Sequence, residues 1–171
     1  MKKINILSLL LFSAFAFSQV AVGKSNVSNS SVSLEFESGN RGIVLPWVES
    51  ETAVAGAVAG TIIYDTTDKK VKVKKVASGW KDLSVNGTGA VDTSLQDALV
   101  DNPSTKVVIG ANAATDITPG ILVLADTNKA MILPKTTYAA VINPAPGMMI
   151  YDTTAKQLAV FNGTVWSFWK P

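Results

Sequence analysis

The alternation of apolar and polar positions predicts that this chain is built mostly from short β-strands. Residues 32–37 alternate strictly, which is the pattern of a strand with one buried face. A run of three apolar residues at 43–45 predicts another short strand. Residues 62–65 and 71–76 flank the polar segment 66–69, so we expect them to pair as a hairpin. Lysines alternate with valines in the second of these strands, which predicts that one of its faces is solvated.

The same motifs occur twice along the chain. Residues 60–67 (GTIIYDTT) match residues 147–154 (GMMIYDTT) at six of eight positions. Residues 41–46 (RGIVLP) correspond to residues 129–134 (KAMILP). Other matched positions are Val22-Gly23 with Ile109-Gly110, Leu34 and Phe36 with Leu122 and Leu124, and Trp80 with Trp166. The offset between the copies stays between 86 and 88 residues, which indicates a tandem duplication.

This repeat sets the expected domain organisation. We predict a mainly β protein with short helices, made of two similar small β modules. The first module spans residues 19–85 and the second spans residues 107–171, with a linker at residues 86–106.

Short helices are predicted at three places. In the linker, Thr93 and Ser94 precede an apolar pattern at residues 95–99, which is typical of a capped helix of about two turns. This helix would either pack on its own module or bind a partner. Residues 47–58 and 135–142 are the other two candidate helices, one in each module.

The first eighteen residues have the organisation of a secretory signal peptide. Two lysines precede an apolar run at residues 4–17, which is shorter than the roughly 20 residues that a membrane span needs. Ala16 and Ser18 place small residues where a signal peptidase reads them. We therefore expect cleavage before Gln19 and export, with the cell surface or the periplasm as destination. The alternative is a buried N-terminal helix or a membrane anchor; no later segment is apolar enough to span a membrane.

Composition excludes several classes of chemistry. The chain has no histidine and no cysteine, which rules out Ser-His-Asp and Cys-His catalysis, disulfides and zinc sites built on those residues. Removal of the predicted signal leaves thirteen basic and thirteen acidic side chains, and Arg41 is the single arginine. Such a balanced surface is poor at binding nucleic acid. We expect no cofactor.

Two repeated aspartates are the most conspicuous polar residues. Asp65 and Asp152 could form a carboxylate pair for glycoside hydrolysis. The alternative is that each stabilises a hairpin turn by accepting hydrogen bonds from nearby amides. We favour the turn, because hairpins need these residue types and a duplication would repeat them. Since no spaced Asp-x-Asp-x-Asp-Gly loop is present, we expect no metal site.

The aromatic residues divide into repeated and unrepeated sets. The repeated pairs are Trp80 with Trp166 and Tyr64 with Tyr151, and repetition favours a structural role in closing each hairpin over the core. The unrepeated set consists of Trp47, Tyr138, Phe168 and Trp169. Because tryptophan and other aromatics are common at binding hot spots, these four are the candidate partner-binding residues.

The repeated motifs resemble a module that is frequent in exported proteins of Bacteroidota and in tail-fibre-like and adhesin-like proteins. The residues that carry the resemblance are Gly60, Tyr64, Asp65 and Trp80 in the first copy and Gly147, Tyr151, Asp152, Asn162, Gly163 and Trp166 in the second. Trp47 and Lys135 depart from the pattern, which usually has arginine after the proline. The resemblance implies a β-rich, non-enzymatic structural or recognition module.

Function is expected from two non-enzymatic classes, ahead of a third, an enzyme, which would need a carboxylate pair that nothing in the sequence singles out. The first is an exported structural or interaction protein, an accessory subunit of a larger cell-surface adhesin or fibre. Because no C-terminal sorting domain follows the second module, such a subunit could reach the surface with a partner of the type 9 secretion or gliding-adhesin machinery. Its variant is a homotrimeric fibre module. The second class is a carbohydrate-binding module in which Trp47 or Trp169 stacks on sugar rings.

Overall fold

The structure, a computed structural model, is almost entirely β. It describes residues 19–77, 79–100, 102 and 104–169, and 33% of these described residues are strand against 2% helix. The mainly β fold class is therefore confirmed. The predicted signal peptide, residues 1–18, lies outside the described residues.

Seven strands belong to each half of the described chain. In the first half they are β1 (Val20–Val22), β2 (Val32–Phe36), β3 (Ile43–Val44), β4 (Trp47–Val48), β5 (Ile62–Asp65), β6 (Lys70–Lys74) and β7 (Trp80–Asp82). In the second half they are β8 (Val107–Ile109), β9 (Leu122–Leu124), β10 (Ala130–Ile132), β11 (Lys135–Thr136), β12 (Met148–Asp152), β13 (Gln157–Phe161) and β14 (Trp166–Trp169). One turn of 3-10 helix, Tyr138–Ala140, follows β11.

The two halves repeat one topology in one register. β1 runs parallel to β2 with Val20 opposite Leu34, and β8 runs parallel to β9 with Val107 opposite Leu122. β4 and β11 are the parallel neighbours of β5 and β12. The antiparallel strands β5-β6-β7 correspond to β12-β13-β14. The tandem duplication read from the sequence is therefore present in the fold.

Each module also contributes one strand that pairs with a strand of the other module. β10 of the second module runs parallel to β2 of the first, with Met131 opposite Leu34. In return, β3 of the first module runs antiparallel to β12 of the second, with Val44 opposite Met148. These exchanges join the two modules through backbone hydrogen bonds.

The largest hydrophobic core is shared between the modules. Its buried residues are Leu45, Tyr64 and Val71 from the first module and Met149 and Val160 from the second. A smaller cluster of Val141, Ile150 and Ala159 lies within the second module. Because full burial of such a side chain contributes about 1.5–3 kcal/mol, much of the folding energy depends on both modules being present.

The predicted helices are mostly wrong. In the described part of the linker, the amides of Gln96 and Asp97 donate to the Thr93 carbonyl, which closes a turn and not a helix. Leu95 and Leu99 are exposed, so nothing buries the apolar side that a two-turn helix needs for stability. Residues 47–58 form β4 and a series of turns, and residues 135–142 contain β11 and the 3-10 turn Tyr138–Ala140.

Candidate functional site

Both repeated aspartates are turn residues, as the sequence predicted. Asp65 Oδ1 accepts hydrogen bonds from the amides of Thr67 (3.0 Å) and Asp68 (2.9 Å), and its Oδ2 accepts one from the amide of Glu51 at 3.1 Å. Burial acts to raise the pKa of Asp65, but these amides and the Lys72 ammonium outweigh it, so the pKa lies below its ordinary value.

Asp152 repeats this arrangement in the second module. Its Oδ1 accepts from the amides of Ala155 (2.6 Å) and Thr154 (2.9 Å), and its Oδ2 accepts from the amide of Tyr138 at 2.7 Å. Burial again opposes ionisation, and the three amides again bring the pKa below its ordinary value. A buried carboxylate that stays ionised and engaged by amides is poorly suited to act as a general acid.

The first module adds a buried lysine to its aspartate. Lys72 lies in β6 and is 4% exposed; its Nζ is 2.9 Å from Asp65 Oδ2 and 3.1 Å from Glu51 Oε2, and it also contacts Asp68. Burial acts to lower the pKa of Lys72, but the hydrogen bonds that its ammonium donates to Asp68, Asp65 and Glu51 outweigh burial and raise the pKa. The expectation of a solvated lysine face was wrong at Lys72, because the carboxylates of Glu51, Asp65 and Asp68 surround its ammonium on that face.

Trp47, one of the four candidate partner-binding residues, lies at the contact between the modules. Its indole Nε1 donates to the carbonyl of Pro146 at 2.8 Å. Its ring centroid is 6.4 Å from that of Tyr64. Trp47 thus already contacts the second module within the same chain.

The other three candidates lie near the end of the second module. The rings of Tyr138 and Phe168 meet edge to face, with centroids 5.3 Å apart, and both side chains are exposed. Trp169 is half-buried, and Lys81 Nζ lies 5.4 Å from the centroid of its ring. The sequence-based assignment of these residues to partner binding stays a prediction.

Sequence reasoning missed the residues that join the modules. The Tyr64 hydroxyl donates to the Asn162 carbonyl at 2.9 Å, and the Asn162 side-chain amide donates to the Asn86 carbonyl at 2.9 Å. Gly147 has φ +75°, and a Cβ there would lie 2.8 Å from Tyr64 Cβ, so only glycine allows this approach. The motif of Gly147 and Asn162-Gly163 was visible in the sequence, but its cross-module partners were not.

The second module has an exposed surface that corresponds, by the repeat, to the surface with which the first module contacts the second. A groove of about 450 Å³ is lined by Met131, Ile132, Leu133, Lys135 and Tyr151. These are the repeat counterparts of Ile43, Val44, Leu45, Trp47 and Tyr64, which in the first module face the second. We call the five lining residues the open groove.

The exposed fractions of the two repeated tyrosines differ between the contact surface of the first module and the open groove of the second. Tyr64 is 0% exposed, whereas Tyr151 is 37% exposed. They occupy the same position in β5 and β12, and each pairs with its module's preceding strand in the same register. The open groove is therefore the candidate functional site, because an identical residue is fully buried in one module and partly exposed in the other.

Other site types receive no support from the described residues. In that part of the chain, no group of three or more acidic side chains is arranged to hold a metal ion. Nor does a helix long and apolar enough to cross a membrane occur there.

Comparison with known proteins gives one match. The family model described as a phage tail like trimerisation region matches residues 109–170, which begin in β8 and take in the rest of the described second module. No curated protein and no solved structure matches the chain. The match supports the resemblance to tail-fibre-like and adhesin-like modules, and it fits a structural fibre module.

Proposed function

We propose that this protein is an exported, non-catalytic structural subunit whose copies associate into a trimeric fibre segment at the cell surface. The observation that carries the proposal is the open groove, which repeats the surface that joins the first module to the second. A chain that exposes one half of its own internal contact has a ready partner in another copy of itself. The family match to a trimerisation region supports three as the number of chains.

This proposal favours the homotrimeric fibre over the accessory subunit of a larger adhesin. Both agree with the predicted signal peptide, with a β-rich module and with the buried, amide-bound aspartates. The open groove distinguishes them, because its complementary surface is found within this sequence. An adhesin or secretion component is not needed to account for it.

The test is recovery of the tagged full-length protein from the surface of cells that naturally express it. After mild chemical cross-linking of intact cells, the purified material would be weighed by native mass spectrometry and its components identified. We expect a species of three chains with no other protein at fixed stoichiometry, and loss of the tag signal when intact cells are treated with protease.

Two results would overturn the proposal. A single-chain mass would exclude self-assembly, and a larger surface protein at constant ratio would return the accessory-subunit hypothesis. Protection of the tag from external protease would place the protein inside the envelope and contradict the surface location.

A further inference from the structure

We infer that the open groove binds the first module of another copy of the chain, in the geometry by which the two modules bind each other within one chain. This inference rests on the proposed self-assembly and adds the surfaces and the strand register. We assign another copy as the occupant because the contact between the two modules of one chain shows which strand pairs with each strand edge.

The edge of β9 shows the missing partner most clearly. In the first module, β10 pairs with the edge of β2 that faces away from β1, and Leu34 is 3% exposed. In the second module, the equivalent edge of β9 has no strand beside it in the described chain, and Leu122 is 45% exposed. Unpaired edges of this kind are templates for strand addition from another chain.

The strand that fits this edge is β3. It is the repeat counterpart of β10, and its Val44 is 46% exposed. Transfer of the β10–β2 register to the second module places β3 of another copy parallel to β9, with Ile43 opposite Leu122 and Val44 opposite Val123.

A reciprocal pairing forms in the same geometry. Within the chain, β3 pairs antiparallel with the start of β12, with Val44 opposite Met148. The counterpart is β10 on the start of β5 in the other copy, which sets Ile132 opposite Thr61 and Met131 opposite Ile62. The first module of the other copy therefore supplies β3, which pairs with β9, and the edge of β5, with which β10 pairs.

Gly60 marks that edge as uncovered. A Cβ at Gly60 would meet nothing within 4 Å, although a Cβ at its counterpart Gly147 would lie 2.8 Å from Tyr64 Cβ. Both glycines have positive φ, at +88° and +75°, so the backbone of the uncovered site already has the shape of the covered one. Tyr151 then takes the place that Tyr64 holds against Gly147.

The hydrogen bonds between the two modules of one chain also have counterparts in the proposed contact between chains. The Tyr64 hydroxyl donates to the carbonyl of Asn162. The residue equivalent to Asn162 is Lys75, because Lys74 opposite Trp80 corresponds to Phe161 opposite Trp166. The Lys75 carbonyl on the other copy can accept from Tyr151. Lys135 replaces Trp47, and its ammonium keeps a hydrogen-bond donor for the carbonyl of Ala59, which corresponds to Pro146. The proposed contact between chains therefore has the same geometry as the contact within one chain, with Lys135 in place of the Trp47 ring.

Such a contact is head to tail, since it joins a second module to a first module. Head-to-tail contacts close into a ring when the rotation permits and otherwise extend into a filament. In a closed ring, three chains would bring six modules together. Contacts between the two modules of one chain would alternate with contacts of the same geometry between neighbouring chains.

Cysteine cross-linking between singly substituted chains tests the inference, because the natural chain has no cysteine. Val44→Cys and Val123→Cys chains would be mixed and oxidised. Neighbouring strands lie about 4.7–4.9 Å apart, within the roughly 4.4–6.8 Å between Cα atoms that a disulfide spans. We expect a covalent heterodimer in the mixture. The matched control is Val44→Cys with Ile117→Cys, since Ile117 is exposed in the same module but outside the contact.

A second variant tests the same surface without oxidation. Leu122→Lys should weaken self-association by more than about tenfold, because burial of an unpaired ammonium costs more than the ~1.4 kcal/mol that equals tenfold. Ile117→Lys should leave association unchanged. Circular dichroism would verify that both variants fold.

The outcomes separate this inference from the proposed function. If the chains associate but cross-link through Ile132→Cys with Val123→Cys, second modules pair with each other, so self-assembly stands and the head-to-tail geometry is wrong. Association that Leu122→Lys leaves unchanged would also overturn the geometry alone. Chains that stay single at every concentration would overturn both.

Discussion

At the scale of single residues, the duplication lets one side chain be compared in two environments. Tyr64 and Tyr151 come from the same motif, yet only Tyr64 is buried and donates to a carbonyl of the other module. Burial, with the Asp65 charge nearby, raises the pKa of Tyr64 to about 12. Its hydroxyl therefore stays protonated and remains a donor over the whole neutral range.

Tyr64→Phe should destabilise the folded chain by about 1–2 kcal/mol, since the buried Asn162 carbonyl loses its hydroxyl donor. The matched variant, Tyr151→Phe, should change the free energy of unfolding by less than about 0.5 kcal/mol, because its side chain is solvent-exposed. Urea unfolding at low protein concentration would measure both. Equal effects of the two substitutions would contradict the assigned geometry.

Glu35 gives a second prediction at this scale. It is almost fully buried, and hydrogen bonds from Lys24 Nζ, the Ser28 hydroxyl and the Ser28 amide, each 2.6 Å long, lower its pKa from 4.5 to about 2. A lowered pKa in the folded state stabilises the fold above pH 4.5, and this contribution is lost as the pH falls towards 2.

Stability should therefore decline between about pH 4.5 and pH 2. Glu35→Gln should be less stable than the natural chain at pH 7 and should lose less on acidification. Thermal unfolding of both proteins across this range would measure the difference. A parallel decline in the two proteins would show that Glu35 does not contribute to it.

At the scale of elements, the hairpins could be predicted and the burial of one strand could not. β5 and β6 lie close to where alternation placed them, and the Asp65 turn between them is as expected. The lysines of β6 suggested a solvated face, but Asp65, Asp68 and Glu51 surround and neutralise Lys72. Local alternation records side-chain type, whereas strand order depends on contacts that are distant in sequence.

Lys72→Ala should cost about 3 kcal/mol of stability, because it leaves the Asp65 carboxylate buried without its cation. Lys70→Ala is the matched control in the same strand. Its ion pair with Asp82 is partly exposed, so the loss should stay below about 1 kcal/mol. Chemical denaturation of the two variants would compare them, and similar losses would contradict a structural role for the Lys72 cluster.

The linker shows why a local signal can fail. Thr93 and Ser94 do begin a turn, as a capping pattern suggests, but the apolar residues after it find no surface to cover. A two-turn helix is only marginally stable without tertiary packing. Capping motifs alone therefore predicted where a turn begins but not that a helix would follow.

At the scale of the whole molecule, the modules are repeated in sequence but joined in structure. Periodicity and motif spacing identified the duplication, and with it the hairpin inside each module. They could not identify the exchange of β3 and β10 or the shared core, because both depend on one module meeting another. The candidate site was missed for the same reason: Tyr151 and its neighbours are recognised as an open surface only beside the covered surface of Tyr64.

Sedimentation velocity of residues 19–171, the chain without its predicted signal peptide, tests whether copies of this protein assemble. Measured over a wide range of concentrations, the chain should convert from a single-chain species to a larger assembly, with three chains as the dominant closed form. The same sedimentation coefficient at every concentration, with the mass of one chain, would contradict the account.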